Sequence, residues 1–80
     1  MNDFDVIDLI FSELKAAEEK HPSWPEDPVH AAAIVAEEAG EAVRAALDMH
    51  YHGGDSTSLR TELAHTGAMA IRALLHIGGR

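Results

Sequence analysis

Apolar residues recur along this chain at intervals of three and four, and the pattern breaks twice. Phe4, Ile7, Ile10 or Phe11, and Leu14 mark one side of a first segment, while Asp5, Asp8, Glu13, Lys15, Glu18 and Glu19 fall outside the stripe. That period is helical. It predicts an amphipathic packing helix from a cap at Asn2 or Asp3 to about Lys20. The first break is H-P-S-W-P-E-D-P, whose prolines oppose one continuous helix. Asp27 followed by Pro28 has the order of a cap and a first turn, so a second helix is expected from Pro28 to about His50. Its alanines favour helix and permit close approach of neighbours. Gly40 conflicts with that propensity, and its missing side chain is expected to leave room beside the adjacent acids. The second break is H-G-G-D-S-T. A third helix is expected from near Thr57 to about Ile77, capped by Asp55 or Ser56. Leu59, Leu63, Ala70, Leu74 and Ile77 form its apolar face, Gly67 marks a close helix contact, and Gly78 and Gly79 release the chain.

The pattern therefore gives a single all-α domain over residues 1–80, with interhelical loops at 21–27 and 51–56. No repeat or long low-complexity segment interrupts it. A chain of 80 residues is short for one that must bury a core and carry a charged cleft, so completion as an oligomeric helix bundle is expected. The formal net charge of -8 opposes binding to a nucleic acid polymer or an anionic membrane. It leaves a small phosphorylated ligand open, because a divalent cation reverses charge locally. The absence of cysteine excludes disulfides and thiolate metal sites. The acidic start M-N-D-F-D-V-I-D does not resemble a secretory signal, and no apolar run approaches the roughly 20 residues a bilayer requires. A cytoplasmic location is the resulting expectation.

Two acidic groups carry the candidate chemistry. E-E-A-G-E holds Glu37, Glu38 and Glu41; E-L-A-H holds Glu62 and His65. Spacings of three and four place each group on one side of its helix. Folding the glycine-rich turn into an antiparallel hairpin brings Glu38, Glu41, Glu62 and His65 together. Burying such a group is costly without a cation or hydrogen-bond donors. Carboxylate oxygens with open water positions suit magnesium, whose remaining positions receive phosphate oxygens. The plainer alternative is a solvated acidic face, in which Glu37 is an ordinary surface acid.

From H-P-S-W-P-E-D-P-V-H through A-A-I-V-A-E-E-A-G-E-A-V-R-A-A-L to L-R-T-E-L-A-H-T-G-A-M-A-I-R, the chain resembles the MazG-like, all-alpha nucleoside triphosphate pyrophosphohydrolases. The family pattern is E-E-x-x-E followed by E-x-x-D. Here Glu37, Glu38, Glu41 and Glu62 match it, and His65 stands where the final Asp is usual. The resemblance implies cleavage of a nucleoside triphosphate between its alpha and beta phosphates, giving the monophosphate and pyrophosphate. It implies metal binding by Glu38, Glu41 and Glu62, with Mg2+ or Mn2+ as cofactor. It gives catalytic roles to Glu38 and to Glu37, the latter positioning water or contacting an additional metal.

His65 changes the donor set, because neutral imidazole offers one nitrogen where Asp offers two oxygens. Nitrogen suits zinc, iron, nickel or manganese better than magnesium. His65 is thus a metal ligand, a phosphate contact when protonated, or a packing histidine. Glu62 and His65 also resemble the Glu-x-x-His element of di-iron bundles, of which a homodimer would supply two copies.

Trp24 is a candidate to stack on a base or to plug a gap between helices. Lys15, His30 and Arg72 are candidate substrate contacts, alongside Lys20, His21, Arg44 and Arg60. The expected partners are a nucleoside triphosphate and further copies of the chain, as homodimer or homotetramer. The alternative function is a catalytically inactive nucleotide-binding or helical oligomerisation protein.

Overall fold

The computed structural model describes residues 1–77. Among them lie three helices and no strand: α1 (Asp3–Lys20), α2 (Pro28–His52) and α3 (Ser56–His76). Each start is fixed by a side chain. Asn2 accepts from the Asp5 backbone N–H at 2.9 Å, and Asp5 returns the bond to the Asn2 N–H at 3.3 Å, which closes a capping box. Asp27 accepts from Val29 N–H at 2.9 Å ahead of Pro28, and Asp55 accepts from Thr57 N–H at 3.0 Å. α2 is longer than the sequence pattern suggests. Tyr51 and His52 stay helical until Gly53, at φ 70°, turns the chain out through the left-handed region. The second connection is therefore shorter than the expected 51–56. The expectation for Gly78 and Gly79 lies outside the described residues. Among the described residues, no helix is long and apolar enough to cross a membrane.

α3 is the shared element. It packs against both α1 and α2, which make no close backbone contact with each other. Among the described residues, Leu14, 2% exposed, is the one large apolar side chain that is buried; the other buried apolar residues are Ala31, Ala42, Ala45, Ala64 and Ala68. Small side chains allow helices to approach closely, and the α2–α3 seam uses that. On the other side, Ile10 of α1 lies against Gly67, where an added Cβ would meet Ile10 Cδ1 at 3.3 Å. Gly67 thus marks a close contact, as its position suggested.

Two sequence expectations are corrected here. The large apolar residues predicted to form the inner faces of α1 and α3 mostly point outward: Phe4 is 78% exposed, and Ile7, Phe11, Leu63, Leu74 and Ile77 are exposed as well. Burial follows a different stripe on α3, through Ala64, Ala68 and Arg72 at intervals of four. Helix spacing identifies faces but not which face meets a neighbour. The smaller residues win the inner positions because the backbones are close. Gly40 is also not what it was expected to be. It is exposed, and a Cβ built there meets nothing within 4 Å, so it does not open space beside the acids.

Candidate metal centre

The buried stripe of α3 is flanked by Glu62 and His65, one helical step apart and both half-buried. α2 contributes Glu38 to the same place, and α1 contributes Glu13. His65 is the hub. Its Nε2 lies 2.8 Å from Glu13 Oε2. Its Nδ1 lies 3.8 Å from Glu38 Oε2 and 3.7 Å from Glu62 Oε2. The first is a close contact between the ring nitrogen and a carboxylate oxygen, at hydrogen-bonding length. The other two are too long for that.

One ligand atom each from Glu38, Glu62 and His65 lies within 4.8 Å of the others, so these residues form a group able to hold a metal ion. Two carboxylate oxygens and a ring nitrogen are a competent donor set for a divalent cation. Their present surroundings leave them short of partners. Glu38 Oε2 and Glu62 Oε2 are both shielded from solvent and accept no hydrogen bond. A shielded carboxylate oxygen without a donor is costly. The cost shows in Glu38, whose pKa is raised by burial, then by the Glu41 charge, with Glu62 and Glu37 adding and His65 opposing.

Glu41 sits one turn beyond Glu38, exposed. It lines a neighbouring groove of about 370 Å³ with Arg44, Asp48 and Glu62. Glu62 borders this groove, while Glu38 and His65 border another. Glu37 is exposed beside Glu38. The groove on the His65 side, also about 370 Å³, runs from Glu13, Glu38 and His65 to Lys20, His21 and Arg72. One end is thus carboxylate-rich and the other cationic.

Of the remaining sequence candidates, Lys15, His30 and Trp24 lie outside the groove beside the cluster, while Arg72 lines its far end. Lys15 reaches Glu18 at 3.4 Å and lines a separate shallow depression with Asp8 and Phe11. His30 is exposed on the first turn of α2. Arg72 is 3% exposed and donates to the carbonyls of Ala17 at 3.4 Å, His21, and Ser23 at 3.2 Å. Its guanidinium carbon lies 5.0 Å from the Trp24 ring centroid, and Trp24 stacks on His76 at 6.1 Å. Arg72 therefore ties the end of α1 and the following loop to α3. Trp24 packs against that guanidinium and borders a groove of about 290 Å³ with Pro28 and His76.

Glu13 is the site residue that sequence reasoning missed. Its signal was present: Ile10, Leu14 and Ala17 surround it at helical spacings, which puts it at the margin of the packed face. No family model, curated protein or solved structure matches this chain.

Proposed function

We propose that the chain is a divalent-metal-dependent nucleoside triphosphate pyrophosphohydrolase of MazG-like type. The observation that supports it most is the meeting of Glu38, Glu62 and His65 across two helices, with two shielded carboxylate oxygens left without donors. Glu38, Glu62 and His65 hold the cation, and Glu41 adds charge from one turn away. The expected ions are Mg2+ and Mn2+, and the ring nitrogen of His65 tilts the set toward Mn2+. When bound, the cation supplies charge stabilisation for phosphate oxygens.

The chain's own residues do the rest. Glu37, at the solvent side of Glu38, orients the attacking water and accepts its proton. The water oxygen bonds to the alpha phosphorus, the bond to the bridging oxygen breaks, and pyrophosphate leaves with that oxygen. Arg44, Lys20 and His21 line the two grooves beside the cluster and bind phosphate oxygens. Self-association belongs to the same proposal. The chain exposes 5920 Å², about 1,200 Å² more than a compact monomer of 8.6 kDa is expected to show. The excess includes Val43 and Leu63, which border an apolar depression of about 270 Å³ formed with Ala39, Ala42, Ala46 and Leu59. A second copy covering that face gives a homodimer or homotetramer.

The test is pyrophosphate release from canonical and modified nucleoside triphosphates by purified protein with Mg2+ or Mn2+. Turnover lost in a Glu38→Gln, Glu41→Gln double variant supports the proposal, and unchanged turnover in that variant defeats it. The exposed apolar face and His65 in place of Asp favour a second reading, a non-catalytic helical assembly or nucleotide-binding protein. Nucleotide binding without pyrophosphate release is its signature.

A further inference from the structure

We infer that Glu13 is a positioning residue that fixes the ring of His65 so that Nδ1 faces Glu38 and Glu62. The inference rests on the metal-site reading of those three residues. It adds a carboxylate from α1, which contributes no atom to the group itself.

The geometry is specific. A histidine has two ring nitrogens, and the partner of one decides what the other can do. Glu13 Oε2 lies 2.8 Å from Nε2, and a carboxylate acceptor at that distance favours the tautomer with its hydrogen on Nε2. In the neutral ring Nδ1 then holds the lone pair. Nδ1 is the nitrogen that faces Glu38 Oε2 and Glu62 Oε2, at 3.8 and 3.7 Å. Three acceptors facing one another are mutually repulsive unless a cation lies among them. The same arrangement, a carboxylate behind a ligating imidazole, orients the ring and strengthens its nitrogen as a donor to metal.

Position makes the role separable from packing. Glu13 is half-buried, and its neighbour Leu14 carries the α1 core contact. Removing the Glu13 carboxylate therefore frees the ring of His65 without emptying the core. Because the ring presents nitrogen, the cations favoured by this device are those that accept imidazole well, such as Mn2+, Co2+ or Zn2+.

The experiment uses the full chain, metal-free, at about pH 8.5, where imidazole is neutral. Long-range 1H–15N spectra read the tautomer of each histidine. His65 is expected as the Nε2–H tautomer in the wild type and in Glu13→Gln, whose amide oxygen still accepts. It is expected to lose that preference in Glu13→Leu. Titration with Zn2+ and Mn2+ then shows affinity reduced about 10- to 100-fold in Glu13→Leu and much less in Glu13→Gln. Equal losses in the two variants would assign the effect to charge alone and overturn the inference. So would an unchanged His65 tautomer in Glu13→Leu. If the wild type binds neither metal, the metal-site reading fails, while the tautomer spectra still decide whether Glu13 orients His65.

Discussion

His65 and Arg72 stand two turns apart on one side of α3, and each gathers groups from the other parts of the chain. Their chemistry is opposite. Arg72 brings several donors to the carbonyls of Ala17, His21 and Ser23, at the end of α1 and in the loop that follows. Donors meet acceptors, and the knot closes with only Nε left over. His65 brings a single ring to three carboxylates, and two shielded oxygens remain without donors. The first arrangement explains itself as a clamp. The second is incomplete in a definite sense, lacking positive charge in one place. The contrast teaches that a polar cluster points to a ligand when its imbalance is of one sign, not merely because it is polar.

The largest expected effect separates the two knots by stability. Arg72→Ala takes a donor from three carbonyls, of which only that of Ala17 keeps another in the His21 N–H, and should cost about 3 kcal/mol or more, read as a lower urea midpoint. His65→Ala should change stability by less than about 1 kcal/mol. A comparable loss in both would make the cluster another clamp. Next in size is the response to metal. Mn2+ or Zn2+ at about a hundredfold excess over its dissociation constant should stabilise the fold by about 2.7 kcal/mol. Glu62→Gln should remove most of that shift while Arg72 remains in place.

The pH dependence sharpens the contrast further. Burial and the Glu41 charge raise the Glu38 pKa in the folded state. A carboxyl that binds its proton more tightly when folded stabilises most below its unfolded pKa. Its contribution is lost as pH rises through the folded value. Metal-free protein should therefore lose stability through a window just above the ordinary carboxylate range. Glu38→Gln should flatten that part of the curve and be more stable than wild type at neutral pH. Thermal melts with chelator between about pH 4 and pH 7 measure this, and a steeper fall in the variant would contradict it. The smallest effect concerns the two helical glycines. Gly40→Ala enters open space and should stabilise by about 0.5–1 kcal/mol. Gly67→Ala should gain less or lose, since Ile10 has to move.

Local signals were readable in the chain because they act locally. Asn2, Asp27 and Asp55 cap helices through residues two or three positions away, and Gly53 ends α2 by its own backbone freedom. The pairing of Glu38 with Glu62 and His65 was legible because helical spacing and a short connection constrain it. The inward face of α3 was not. Leu59, Leu63 and Leu74 outweigh Ala64 and Ala68 in any hydrophobic count, yet backbone proximity selects the smaller residues. Glu13 was legible only as a residue at the margin of a packed face, for a related reason. Its meaning depends on how α1 is turned against α3, over a separation of 52 positions between Glu13 and His65 that no local period encodes.

α1 is held by α3 and by the Arg72 clamp, and it makes no close backbone contact with α2. It is therefore expected to detach before the α2–α3 hairpin comes apart. Opening it carries Glu13 away from His65 and slackens the ring. Amide exchange should therefore run faster in α1 than along the alanine seam, and an ion seated beside His65 should slow that breathing from a distance of one helix.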